Sequence, residues 1–87
     1  KVVLIITSHA EEMNRRLLRG LGRGVTRFSG RGGYTGEERE ILLCIVTRPQ
    51  VARLKELIYE LDPSAFVIIG NAGEVHGEGF KEIKDRI

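Results

Sequence analysis

The 87-residue sequence predicts an α+β domain of the ferredoxin-like type, in which one antiparallel sheet carries two helices on one face. Two observations lead to this fold class. Two segments repeat apolar residues at helical spacing, and four others have the length and the β-branched or apolar composition of strands. They follow one another in the order β-α-β-β-α-β. The length suits a single domain over residues 1–87.

The first strand and the first helix are predicted within residues 2–22. Residues 2–7 (VVLIIT) have the apolar composition of a buried strand. Ser8 and Glu11 have the spacing of a capping box, which predicts Ser8 as the N-cap of the helix. Gly20 and Gly22 are expected to end this helix. Its apolar stripe, which we expect to face the sheet, consists of Ala10, Met13, Leu17 and Leu21.

Residues 22–46 (GRGVTRFSGRGGYTGEEREILLCIV) predict one long β-hairpin, around which the other elements are placed. Residues 25–28 and 41–46 have the β-branched, aromatic and apolar character of strands. Between them, residues 30–36 (GRGGYTG) contain four glycines. We therefore expect this segment to form an irregular tip.

The second half of the chain predicts a helix followed by a strand. Arg48 and Pro49 mark the helix start, because proline is well accommodated in a first turn. Asp62 and Pro63 mark its end. Residues 65–69 (AFVII) form the next strand, and a short edge strand is expected at residues 74–76. The helical stripe consists of Val51, Leu54, Leu57, Ile58 and Leu61.

Three of the predicted strands have apolar side chains on both faces. VVLII, ILLCIV and FVII do not alternate between apolar and polar residues, as a strand with one solvated face should. Two helices can cover only one face of the sheet. We therefore expect a closed homo-oligomer in which another copy of the domain covers the second face.

Charge and cysteine content say little about function. The net charge is only +2, although six arginines from Arg15 to Arg31 occur without an intervening acidic residue. Such a run is a solvated surface or a surface that faces acidic lipid. The single cysteine, Cys44, lies in an apolar strand and is expected to be a core thiol in a reducing compartment. The chain has no apolar stretch long enough to span a membrane and is expected to be soluble.

Two glycine-rich segments, GRGGYTG and GEGF, form the candidate ligand site. Glycine N–H groups can bind an anion, two arginines add positive charge, and two rings are available for stacking. The alternative is an ordinary hairpin turn with glycines at positive φ. Neither a P-loop nor a dinucleotide-binding fingerprint is present. The candidate residues are Arg31, Gly32, Gly33, Tyr34, Thr35, Gly36, Arg39, Gly77, Glu78, Gly79 and Phe80.

Other classes of site receive less support from the sequence. His9 and His76 lie in separate segments without a second ligand at metal-binding spacing, so no metal site is expected. The glutamates that follow Gly36 have no paired nucleophile, and we expect no catalytic activity. A single RGG at residues 31–33 within a hairpin differs from the repeated, disordered RNA-binding tails, so no nucleic acid partner is expected.

The motifs GRGGYTGEERE, ILLCIV, RLKELIYELDPSAFVII and EVHGEGF together resemble the cytoplasmic C-terminal domain of YitT-type bacterial membrane proteins, a domain of uncharacterised function. The resemblance covers nearly the whole chain. It implies a cytoplasmic domain that is a fragment of a longer protein and follows a multi-span membrane domain. The missing initiator methionine agrees with that expectation.

The order of elements is also similar to that of the P-II and CutA superfamily, whose ferredoxin-like units form trimers and often bind nucleotides between subunits. This similarity implies a trimer and a nucleotide ligand by fold-level analogy. The tip here is shorter than the loop of P-II proteins, which puts their mode of partner binding in doubt. We expect a non-catalytic regulatory domain that senses a small anionic metabolite, such as a nucleotide, at subunit clefts. The alternative is a structural oligomerisation domain without a ligand.

Overall fold

The computed structural model describes residues 1–77 and confirms the ferredoxin-like βαββαβ arrangement. A 3-10 turn over Arg48–Gln50 contains the predicted helix start, and the second α-helix begins directly after it. The predicted strand at residues 74–76 is reduced to a single bridge residue, His76. The elements are β1 (Val2–Thr7), α1 (Ala10–Leu21), β2 (Val25–Arg31), β3 (Glu38–Ile45), α2 (Val51–Leu61) and β4 (Phe66–Gly70).

The four strands form one antiparallel sheet in the order β2-β3-β1-β4. β1 lies between β3 and β4, and its pairing with β3 runs from Val2 opposite Ile45 to Thr7 opposite Glu40. The β2–β3 hairpin forms one edge of the sheet, and β4 forms the other. This topology separates the hairpin from β4 by the width of the sheet.

The core lies between the two helices and one face of the sheet. Alternate residues of β1 and β3 point into it, so that each strand has one fully buried set of side chains. Cys44 is 1% exposed, which confirms this cysteine as a core residue, and its burial raises the pKa of the thiol. The largest fully buried side chains are Val3, Ile5, Met13, Leu17, Leu42, Cys44, Val46, Leu54 and Ile58.

The N-terminus of α1 corrects one prediction. The N-cap is His9 rather than Ser8, and it forms no side-chain cap. The Thr7 hydroxyl accepts the His9 N–H at 3.0 Å and donates to Asp62 Oδ2 at 2.6 Å. Glu11 pairs with arginine side chains instead of completing a capping box with Ser8. The tertiary contact to Asp62 therefore displaces the local capping pattern.

The C-terminus of α1 confirms Gly22 and corrects Gly20. Gly22 is the C-cap with φ 66°, and its N–H donates to the Leu18 carbonyl at 2.9 Å. Gly20 lies inside the helix, where an added Cβ would approach Leu57 Cδ1 to 2.6 Å. Gly20 is therefore a helix–helix packing residue that allows α2 to approach α1, and it does not end the helix.

Asp62 is a buried polar residue at the junction between α2 and β4. Its carboxylate accepts hydrogen bonds from the Thr7 hydroxyl and from the Ser64 N–H at 3.0 Å. The Thr7 hydrogen bond is the main cause that holds the pKa of Asp62 below its ordinary value of 3.8. This network fastens the end of β1 to the loop after α2.

Candidate functional site

The β2–β3 hairpin extends beyond the rest of the sheet. Pairing with β1 ends at Glu40, whereas β2 and β3 continue through Gly30 opposite Arg39 and Arg31 opposite Glu38. We call residues 30–39 the hairpin arm. Gly30 and Arg31 are strand residues, which corrects the prediction that the irregular tip begins at Gly30. A larger residue at position 30 would crowd Ile41, because a Cβ at Gly30 would approach Ile41 Cδ1 to 2.8 Å.

The tip of the arm uses several of its own N–H groups. Gly32 donates to the Glu37 carbonyl at 2.8 Å, and Gly36 donates to the Gly32 carbonyl at 2.9 Å. The Glu37 N–H donates to the Thr35 hydroxyl at 3.2 Å. Among the tip glycines only Gly36 has a positive φ, of 74°. The tip is therefore an internally hydrogen-bonded turn, and these three donors are not free to bind an anion.

The predicted cations and ring of the arm differ in their surroundings. Tyr34 is fully exposed, with a relative accessibility of 101%. Arg31 is exposed and forms no ion pair or side-chain hydrogen bond in the part of the chain that the structure describes. The Arg39 guanidinium lies 3.7 Å from the Glu37 carboxylate. The structure thus brings Arg31, Tyr34 and Arg39 onto one arm, with one cation unpaired.

An open groove of about 320 Å³ runs along the base of the arm. It contains three carboxylates and one guanidinium, so its local charge repels an anion. The groove is accordingly a poor site for a nucleotide within a single copy of the domain. Its lining residues are Thr7, Ser8, Glu37, Glu38, Arg39 and Glu40.

The second predicted segment is only partly covered by the structure. Gly77 is partly buried and has φ 136°, a conformation that favours glycine. Glu78, Gly79 and Phe80 lie outside the described residues. Of the predicted site, the structure therefore describes the hairpin residues and Gly77.

The two histidines occupy different environments. His9 is exposed at the start of α1, whereas the His76 side chain is 13% exposed with its Nε2 3.2 Å from Glu74 Oε2. The Nδ1 atom of His76 is buried and has no hydrogen-bond partner among the described residues. A search of residues 1–77 finds no group of three side chains that could hold a metal ion.

Three arginines of α1 and β2 pair with glutamates, some local and some distant in sequence. Arg27 contacts both carboxylate oxygens of Glu40 at 2.9 Å and lies 3.2 Å from Glu11. Arg16 lies 3.3 Å from Glu60, and Arg15 lies 2.7 Å from Glu12. These exposed pairs place a carboxylate beside three of the six arginines in the run. They favour the interpretation of this surface as solvated rather than lipid-facing.

The face of the sheet opposite the helices is apolar from edge to edge. The strand register places on it every second residue of each strand. At its two edges Phe28 is 43% exposed and Phe66 is 62% exposed, and Ile68 is 49% exposed. We call this surface the open face, and its apolar residues are Val2, Leu4, Ile6, Phe28, Ile41, Leu43, Ile45, Phe66 and Ile68.

Contiguous apolar patches of this kind are typical of interaction sites. Our sequence-based list of site residues contained none of the open-face residues. The sequence did contain an indication of these residues, because three strands lack alternation between apolar and polar residues. That pattern predicted a covered second face of the sheet, but it did not identify the face as the functional surface.

The comparison with known families identifies the chain. A family model described as "Uncharacterized protein conserved in bacteria (DUF2179)" matches residues 23–77. The chain belongs to this family. A crystal structure of a DUF2179 protein from Eubacterium ventriosum superimposes with a TM-score of 0.69 at 29% identity, covering 79% of this chain and 94% of that one. A functionally unknown protein from Pediococcus pentosaceus, at 14% identity and TM-score 0.72 over 87% of this chain and 93% of that one, shares the fold.

Relatives of this DUF2179 domain include bacterial membrane proteins, as the resemblance predicted. The chain is 48% identical to "Uncharacterized protein in cccA 5'region" of Bacillus sp. (strain PS3), over 93% of this chain and 54% of that protein. It is 44% identical to the UPF0750 membrane protein YvjA of Bacillus subtilis over 93% of this chain, and 28% identical to YitT over 85%. It spans 29% of YvjA and 26% of YitT. No helix within residues 1–77 has the length and apolarity needed to cross a bilayer.

Proposed function

We propose that this DUF2179 domain is a non-catalytic assembly module, on the cytoplasmic side of a bacterial membrane protein, that joins copies of that protein. The open face of the sheet carries the proposal. It presents apolar side chains of all four strands, and both described helices pack on the opposite face. Its relatives among membrane proteins support the membrane context.

A second copy of the domain is the occupant that best fits the open face. Each copy offers the same apolar surface. In a closed symmetric assembly, packing the open faces together therefore buries the open face of every copy. Burial contributes about 25 cal/mol per Å² of apolar area, and a stable interface uses roughly 800 Å² on each partner. The charged outer surface of α1 stays in solvent in such an assembly. By analogy with other ferredoxin-like oligomers we propose a trimer.

Light scattering on the 87-residue chain tests the assembly. We expect the mass of a closed oligomer, three times 9.7 kDa for a trimer, that does not change across the micromolar range. A chain that remains monomeric at these concentrations would contradict the proposal, because the open face would then be stable in water.

Sensing of an anionic metabolite is the second candidate function. It is favoured by one observation: Arg31 is unpaired within residues 1–77 and lies on the same arm as the fully exposed Tyr34. A cation and an aromatic ring suit the phosphate and the base of a nucleotide. In an assembly the arm would complete such a site with groups from a neighbouring copy, which a single copy does not provide.

Thermal shift with adenine, guanine and cyclic dinucleotides separates sensing from assembly alone. A ligand at 100 times its Kd should stabilise the domain by about 2.7 kcal/mol. Arg31→Ala should abolish the shift and leave the oligomer mass unchanged, while Arg48→Ala, another exposed arginine, should retain it. If no nucleotide raises the Tm, the sensing proposal fails and assembly without a ligand remains.

A further inference from the structure

A cleft between α2 and β4 lies at the edge of the sheet farthest from the hairpin arm. Its volume is about 110 Å³. Ile58 in its floor is 1% exposed, and Tyr59 at its mouth is 56% exposed. We call it the α2–β4 cleft, and its lining residues are Lys55, Ile58, Tyr59, Val67 and Ile69.

The composition of the α2–β4 cleft suits an aromatic side chain. Ile58, Val67 and Ile69 provide an apolar floor. Tyr59 can pack against a second ring, and the Lys55 ammonium can lie over a ring face. A tyrosine would keep its hydroxyl at the solvent side of such a cleft while its ring is buried.

The hairpin arm carries an aromatic side chain that is fully exposed among residues 1–77 of the single copy. Tyr34 is fully exposed at the tip, beyond the last residue that β1 supports. Glu38 on the arm and Lys55 at the cleft form no ion pair within residues 1–77, and their charges are opposite. The arm therefore offers a ring for the apolar floor of the cleft and a carboxylate for Lys55, yet the arm and the cleft lie at opposite edges of one sheet.

We propose that the hairpin arm of one copy docks into the α2–β4 cleft of the next copy, with Tyr34 between Lys55 and Tyr59 and with Glu38 facing Lys55. This interface rests on the proposed assembly function. Because it joins two different patches, it is head-to-tail and closes into a ring when the rotation allows. Phe66 on β4 belongs to the open face, whereas Val67 and Ile69 of the cleft lie on the helical face of the same strand, so the two contacts meet at the β4 edge.

Chemical cross-linking between copies tests the docking. Cys44→Ala removes the native thiol, and Gly33→Cys with Glu56→Cys then places one thiol beside Tyr34 on the arm and one beside the cleft, with the docking side chains intact. With a short bismaleimide we expect the double variant to form a ladder that ends at the size of the ring. Mixing the two single variants should give cross-linked dimers, and each single variant alone should remain uncross-linked.

Binding measurements provide a second test that does not depend on cysteine. Tyr34→Ala should raise the dissociation constant of the oligomer at least tenfold, while Tyr34→Phe should retain assembly. Glu38→Lys should weaken assembly, and Glu38→Lys combined with Lys55→Glu should restore it.

The outcomes separate this inference from the assembly proposal. Cross-links formed by the Gly33→Cys variant alone would show a tip-to-tip contact and would overturn the docking. An oligomer mass that persists while the double variant fails to cross-link would also overturn the docking and leave the assembly proposal standing. A monomer mass for the unmodified chain would overturn both.

Discussion

Leu43→Asp is expected to convert the protein into a folded monomer. Leu43 lies near the centre of the open face, opposite Leu4 on one side and Thr26 on the other. In an assembly the new carboxylate would be buried without a partner, at a cost of several kcal/mol. This cost corresponds to a rise in the dissociation constant on the order of 100-fold or more. Light scattering at micromolar concentration measures the change in mass.

Leu18→Asp is the matched control for that experiment. Leu18 is 53% exposed on α1, on the helical side of the molecule. The same chemical substitution should therefore leave the oligomer mass unchanged. Circular dichroism should show a folded protein for both variants, because Leu43 lies on the open face, outside the buried core, in a single copy. An oligomer mass that Leu43→Asp leaves unchanged would show that the open face is not the interface.

Leu54→Ala is expected to lower the free energy of unfolding strongly. Leu54 is fully buried on α2 within the core cluster. Leucine-to-alanine changes at such sites cost about 2–5 kcal/mol, because the removed atoms leave a cavity. Domains of this size have a total stability of about 5–15 kcal/mol, so the variant should be close to unfolding at physiological temperature.

Urea unfolding at a fixed protein concentration measures the effect of Leu54→Ala. Leu18→Ala serves as its control, since a half-exposed leucine should change the free energy of unfolding by only about 0.5 kcal/mol. If Leu54→Ala lowers the free energy of unfolding by less than about 1 kcal/mol, the packing between α2 and the sheet is looser than the structure indicates.

The order of elements could be predicted because each segment carries its own periodicity. The stripe of α2 illustrates this, since Leu54, Leu57 and Ile58 are all buried as expected. The length of the hairpin strands could not be predicted in the same way. Gly30 weakens a strand by composition, yet it lies within β2 because its missing side chain leaves room for Ile41.

Features that depend on distant residues were not accessible from local sequence. The Thr7 hydroxyl binds Asp62, which is 55 positions away, and this contact displaces the predicted cap at Ser8. Arg27 pairs with Glu11, and three of the six arginines in the basic run lie beside carboxylates in the fold. The open face could be predicted in part. Its apolar character follows from the sequence of the strands, but its extent from Phe28 to Phe66 is known only from the pairing register of the strands.

The most direct test of the account is whether the open face contacts another copy of the chain. Mixing ¹³C-labelled and unlabelled protein and recording isotope-filtered NOEs detects only contacts between copies. We expect intermolecular NOEs to the methyl groups of Leu4, Leu43 and Ile68 on the open face, and none to those of Leu17 or Leu54 in the core. An oligomer whose open-face methyl groups show no intermolecular NOEs would contradict the assembly that we propose.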